Sequence, residues 1–459
     1  MRARDIARQV SAGSLDPVAL ARETAKACEA SQPRLNAFTI IDGARAEAAA
    51  RAVQARLQRG ETLPLAGVPL IVKDNIWAEG WPITQGSRLF ADHIAPRDAL
   101  AVARARAAGA VIIGIGTSSE FASKGLTNTP LYGITRHPDD PDLTPGGSSG
   151  GNAAAIGAGL VPIGLGTDGG GSSRRPPAHC GIVGFKPSFG AIAHPYGFAE
   201  PFWWLSSISP IARDVADCAL LFEAVAGDDP ADPESRIIAP AFAGEVTALR
   251  VAYAPKLGLD VPVDPDVAEA FGKALAVLAR AVSTFREAAP DWPEARLRQD
   301  LMASQFAGQA AFHGAEWKRA PEQFDPDIGV QIERGLAMPA TVLAGAMETS
   351  LLVRRAVARF FADFDLLLSP TTPCVAWPHH QLGPPEIDGQ AVDPRGHAAF
   401  TPLLNHAWTP AISVPCGRGR AGLPVGMQII GAVGQDRKVL AFAAFAERLF
   451  AEAGLWSPS

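Results

Sequence analysis

Cysteine is scarce in this chain. Five residues, Cys28, Cys180, Cys218, Cys374 and Cys416, are spread over 459 positions with no C-x-x-C pair. An odd, dispersed set argues against a disulfide frame or a zinc ribbon and reads as reduced thiols used for packing, so a cytoplasmic protein is expected. Positive charge is not in surplus either: 41 Lys and Arg face 47 Asp and Glu, a net charge of −6. Nothing in that balance points to nucleic acid or to an anionic membrane. No apolar run reaches the roughly 18–20 residues that a membrane span requires. The start, Met1-Arg2-Ala3-Arg4-Asp5, lacks the apolar centre of a signal peptide. The nine histidines are scattered, only His379 and His380 adjoin, and no H-E-x-x-H occurs. A metal centre is therefore not expected, and no cofactor is.

What is present is apolar residue (47%) in alternating helical and extended patterns. Asp16-Pro17 is a capping residue followed by proline at a first helical position. An Ala-rich helix is expected at about 44–58. Val68-Pro69-Leu70-Ile71-Val72 reads as a short apolar strand. Asp98 is expected to cap a helix that Gly109 ends, before a strand at Val111-Ile112-Ile113. Helix and strand then keep alternating to a last helix at about 437–450. This predicts an α/β fold around a large, mixed, mostly buried β-sheet with helices on both faces. One domain over 1–459 is expected, with N-terminal helices in about 1–60, a glycine-rich core in about 64–230, and a helical insertion in about 289–339.

The chemistry concentrates between Thr144 and Pro187. One cluster reads Gly146-Gly147-Ser148-Ser149-Gly150-Gly151. The other reads Gly164-Leu165-Gly166-Thr167-Asp168-Gly169-Gly170-Gly171-Ser172-Ser173-Arg174. Together they hold nine glycines and four serines, and such clusters let backbone N–H groups converge on one point. A dinucleotide fingerprint fits Gly164, Gly166 and Gly169, but Pro176 and Pro177 are expected to interrupt the following helix, and no acid occurs between Asp168 and Glu200. A nucleophile elbow fits Gly146 to Gly150, but a Pro- and Asp-rich loop precedes it where a strand is needed. No Gly-Lys-Ser/Thr follows for a phosphate loop.

The two clusters, with Ser148 and Ser172 separated by 24 positions, resemble the amidase signature family. So do Gly67-Val68-Pro69-Leu70-Ile71-Val72-Lys73-Asp74, the Glu120-Phe121 pair and the late Leu423-Pro424-Val425-Gly426-Met427-Gln428 segment. The likeness runs the length of the chain. It implies an amidase that needs no cofactor. Ser172 is the implied nucleophile, Ser148 the relay that follows a cis peptide bond, and Lys73 the neutral base. The backbone N–H groups of Gly169, Gly170, Gly171 and Ser172 are the implied oxyanion hole. Asp168 and Arg174 are expected to brace the loop as a pair. Gly169, Ser173, Pro177 and Ile115-Gly116-Thr117 depart from the family's usual residues and bear on substrate fit.

The expected partner is a small-molecule amide, with a homodimer open as an assembly. Phe202-Trp203-Trp204 follows the signature and suits an aromatic or apolar acyl group. If that segment is extended, Phe202 and Trp204 share one face. Trp377 and Trp408 are candidates to return to the same site. Two other functions stay open: the ammonia-releasing component of a glutamine-dependent amidotransferase, and a catalytically silent binding protein, which the intact Lys73, Ser148 and Ser172 disfavour.

Overall fold

The computed structural model describes residues 1–293, 297 and 301–457. Several helices start at an aspartate that caps them. Helix α1 spans Ala3–Ser11. Asp16 accepts from the Val18 N–H at the start of α2 (Pro17–Leu35), and Asp42 accepts from the Arg45 N–H at the start of α3 (Gly43–Gln58). Asp98 does not cap: α4 (Leu100–Ala107) starts after Ala99. The Asp98 carboxylate instead accepts from the Glu79 N–H and pairs with Arg106. The helical N-terminus also contains a strand, Phe38–Ile41, which four residues between two helices are too few to announce by period.

Eleven strands form one mixed sheet. In chain order they are β1 (Phe38–Ile41), β2 (Pro69–Lys73), β3 (Val111–Gly116), β4 (Ile163–Asp168), β5 (Val183–Lys186), β6 (Ser207–Ala212), β7 (Arg250–Tyr253), β8 (Thr284–Glu287), β9 (Leu366–Pro370), β10 (Ala411–Arg418) and β11 (Pro424–Gly431). The spatial order is β1-β3-β2-β4-β6-β5-β10-β11-β9-β7-β8. Strand β2 runs parallel to both β3 and β4, β10 and β11 pair antiparallel, and β7 runs parallel to β8 and β9. Every residue of β2, β3, β4, β9 and β11 is buried, as befits central strands of a sheet covered by helices. The expected large mixed sheet is thus the observed one.

The helical stretch expected at 289–339 begins partly outside the described residues, at 294–296 and 298–300. It continues beyond its expected end: after helices at Ala303–Arg319 and Pro326–Leu336, a 24-residue helix runs over Ala340–Asp363. Pro176 and Pro177 also behave differently from expectation. They lie in the first turn of a short helix, Arg175–Cys180, where a missing N–H costs nothing. Among the described residues no single helix is long and apolar enough to cross a membrane. One pair, Pro326–Leu336 with Ala340–Asp363, meets the length and composition test only across a 102° bend.

Candidate active site

Lys73 ends β2, and Thr167 and Asp168 end the parallel neighbour β4. The register Val72 to Leu165 brings these strand ends side by side, at the carboxyl edge where open α/β sheets place their chemistry. Lys73 is fully buried. Its Nζ lies 2.8 Å from Ser148 Oγ and 2.8 Å from Thr167 Oγ1, and it donates to the Thr167 carbonyl at 3.4 Å. Asn75 Nδ2 donates to the same Thr167 hydroxyl at 2.9 Å. Burial pulls the Lys73 pKa down to about 7, against the charges of Asp168 and Glu200 and with help from Arg175. The neighbouring Asp74, buried and bonded to Thr84 and Gly86, is pushed up to about 7 by burial.

Ser148 follows a cis peptide bond from Gly147. A Cβ on Gly147 would fall 2.6 Å from the Leu126 backbone, so no other residue fits there. Thr127 Oγ1 fastens the loop by donating to the Gly146 carbonyl and accepting from the Gly150 N–H. The second serines of the two pairs meet, with Ser149 Oγ 3.5 Å from Ser173 Oγ, and both donate to the Thr167 carbonyl. The structure therefore brings the two glycine-rich loops together beside Lys73. Ser172 is 5% exposed.

Asp168 and Arg174 form the expected pair, buried and bidentate at 2.9 Å on both arms. Arg174 also donates to the Thr401 carbonyl, Gln428 and Asn405. Burial would raise the Asp168 carboxyl, but the Arg174 charge and hydrogen bonds, with Asn405, hold it well below the usual carboxylate range. Asp168 accepts as well from the N–H groups of Gly171 (2.6 Å) and Ser173 (3.1 Å). Of the four N–H groups expected to form the oxyanion hole, that of Gly171 donates here to a carboxylate, and we take Gly169, Gly170 and Ser172 as the candidate donors.

A cavity of about 130 Å³ adjoins this centre, and Thr167 and Asn75 are part of its wall, as are Gln85, Phe121, Glu200 and Trp203. Gln85, Phe121, Ala122 and Trp203 all line it with positive φ, and they are four of the eight non-glycine residues in that region among those described. Such backbone concentrates where a site is shaped at a cost in stability.

The aromatic run is arranged differently from expectation. Trp203–Leu205 is a turn of 3₁₀ helix, not a strand. Trp203 and Trp204 therefore stack, with ring centroids 5.5 Å apart, and only Trp203 lines the cavity. Phe202 packs on the loop, and a Cβ on Gly169 would come 3.1 Å from its ring. The departure at position 169 thus makes room for Phe202. Trp408 stacks on the cavity residue Phe189 at 5.4 Å and donates to the Trp204 carbonyl. Trp377 clusters elsewhere, with Cys374 and Ile387.

Thr167, Asn75 and Glu200 were not picked out from sequence as site residues. The strand register above signals Thr167 once β2 and β4 are known to be neighbours. His179 is buried with neither ring nitrogen hydrogen-bonded, and burial lowers its pKa to about 3. His406 bonds Ser350 and Leu301, and burial lowers its pKa to about 4. Among the described residues no group of three or more His, Cys, Asp or Glu is placed to hold a metal ion.

The family described as Amidase matches residues 19–440. The A component of the glutamyl-tRNA(Gln) amidotransferase of Symbiobacterium thermophilum is 35% identical, over 94% of this chain and 93% of the relative. The same component from Deinococcus radiodurans is 35% identical over 96% and 95%. A bacterial aryl acylamidase of the amidase signature family superposes with a TM-score of 0.89 at 27% identity, covering 100% of this chain and 99% of the other. A 6-aminohexanoate cyclic dimer hydrolase superposes at 0.84 with 25% identity over 98% and 97%. The corresponding amidotransferase component of Thermotoga maritima superposes at 0.76 with 26% identity over 96% and 94%. With its fold, its paired glycine-rich loops and these relatives, the chain belongs to the amidase signature family.

Proposed function

We propose that the protein hydrolyses a carboxylic amide to acid and amine through a seryl acyl-enzyme. The observation that carries this is a buried Lys73, its pKa pulled to about 7, lying 2.8 Å from Ser148 Oγ. A lysine in that state can be a neutral base at working pH. Neutral Lys73 takes the Ser148 proton, Ser148 takes that of Ser172, and Ser172 Oγ adds to the amide carbonyl. The N–H groups of Gly169, Gly170 and Ser172 receive the oxyanion. The relay then returns a proton to the nitrogen, the C–N bond breaks, and amine leaves. Water, deprotonated by the same relay, adds to the ester carbon, and breaking the C–Oγ bond releases the acid.

The acyl group we propose is aromatic or otherwise apolar and compact. Trp203, Phe189 and Phe198 supply apolar walls, and the volume suits roughly one benzene-sized group. The higher TM-score to the aryl acylamidase than to the amidotransferase component supports a free-standing hydrolase. The sequence relatives favour the second reading, an amidotransferase component that draws ammonia from glutamine. Among the described residues, the cavity wall contains no Lys or Arg to receive a glutamine carboxylate, which weighs against it.

One experiment separates the readings. Purified protein alone is given benzamide, acetanilide and glutamine, and ammonia or aniline release is measured. Release from the aryl amides without a partner is expected. Release from glutamine alone, only when a partner is added, would replace this reading with the amidotransferase. A fluorophosphonate should label Ser172, and a label found on Ser148 would overturn the assignment of roles.

A further inference from the structure

Among the described residues, the acidic and basic side chains that line the cavity all carry one sign: Glu200, Asp232 and Glu234 line it, and no Lys or Arg does. Glu200 sits beside the chemistry: it interacts with the Lys73 charge, and its Oε1 accepts from the Phe202 N–H at 3.0 Å. Burial raises its pKa, and a positive group beside it would act in the opposite sense. Asp232 is fixed by the His194 N–H at 2.8 Å, and Glu234 is exposed at the mouth.

Unpaired polar groups lie in the same wall. The Asn75 amide meets the Thr167 hydroxyl through one of its two polar atoms, and the other, like Ser207 Oγ and His194 Nδ1, has no hydrogen-bond partner. Buried polar groups without partners are costly, and a bound polar group satisfies them. The walls between are aromatic faces, Phe198 and Trp203 among them, which attract cations. The nearby Arg236 is not in the wall. Its guanidinium lies over the Trp408 ring, 5.4 Å from the centroid.

Resting on the hydrolase reading above, we propose that an otherwise apolar group of the amide substrate ends in a protonated amine, received in this cavity by Glu200 between aromatic walls. Glu200 is then a specificity-determining residue. The ammonium belongs either to the acyl part or to the leaving amine, and two matched arms tell them apart. The acyl arm compares para-aminomethylbenzamide with para-ethylbenzamide and para-carboxymethylbenzamide. The amine arm compares para-aminomethylacetanilide with para-ethylacetanilide.

In one arm the aminomethyl member should exceed the ethyl member in kcat/KM by about tenfold or more, with the carboxymethyl member lowest in the acyl arm. In Glu200→Gln that ratio should fall toward unity. Binding of the same compounds to the Ser172→Ala protein, followed by calorimetry, reads the cavity without turnover. Tighter binding of the aminomethyl member with no turnover by the wild type would keep the cation site and defeat the hydrolase reading. Turnover with no preference in either arm and equal binding would keep the hydrolase reading and overturn the cation site. A ratio unchanged in Glu200→Gln would overturn the role of Glu200.

Discussion

A single ammonium decides the chemistry at the residue scale. Lys73 has no exposed surface, and the groups that accept its hydrogen bonds are uncharged. Desolvation therefore outweighs the nearby carboxylates. The sign follows directly: the base acts when neutral, so kcat/KM should rise as pH climbs through about 7 and level off above it. A profile flat from about pH 5 upward would contradict the assignment. Lys73→Ala and Ser148→Ala should each lower kcat by about a hundredfold to ten-thousandfold, and Ser172→Ala by about a millionfold, in assays on protein whose circular dichroism is unchanged. His179→Ala and His406→Ala should keep turnover, because both rings are buried among structural neighbours. Loss of all activity in a folded His179→Ala protein would sink the lysine relay. These residues were legible because the glycines and serines lie close together in sequence, and their spacing is itself the signal. Glu200 and Asn75 were not, since a lone acid or amide near a motif takes its meaning from the cavity it faces.

At the scale of elements, one wall of the cavity is held from far away in the chain. Phe121 and Ala122 line it with φ of 49° and 57°. The next residues are clamped by the helices Ala303–Arg319 and Pro326–Leu336, part of the stretch we propose as a helical insertion. Lys124 forms a buried ion pair with Asp325, and Glu120 accepts from the Asp325 N–H. Gln305 and Gln331 donate to the Ser123 carbonyl, and Phe121 stacks on His313 at 3.9 Å. Lys124→Met leaves Asp325 buried and unpaired, which should destabilise the protein by about 3 kcal/mol. It should raise KM more than it lowers kcat, since the insertion shapes the cavity while Lys73 and Ser148 lie outside this clamp. Urea unfolding and steady-state kinetics on one preparation test both, and a KM equal to wild type would show that the clamp is only structural. None of this could be read locally. The contacts of this stretch with residues 120–124 span about two hundred positions. The aromatic run misled for a related reason: alternation fits a strand, and positive φ at Trp203 is visible only in the fold.

Across the whole molecule, Arg174 ties distant parts of the chain to the nucleophile loop. Its guanidinium joins Asp168 at the end of β4 to Thr401, Asn405 and, on β11, Gln428. The sheet is interleaved in the same way. Strand β5 from the glycine-rich region pairs with β10, and β11 carries the pairing on to β9. Neither the first half of the chain nor the last can complete its hydrogen bonding alone, and this supports our proposal of a single domain. One cooperative transition is therefore expected in scanning calorimetry. Arg174→Met leaves the Asp168 carboxylate buried without its partner, which should cost about 3–5 kcal/mol. The same change frees the loop that Asp168 holds through Gly171 and Ser173, so activity should fall even at temperatures where the protein remains folded. Two resolved transitions, or full activity in folded Arg174→Met protein, would show that the two halves are independent and that the loop is shaped without the pair.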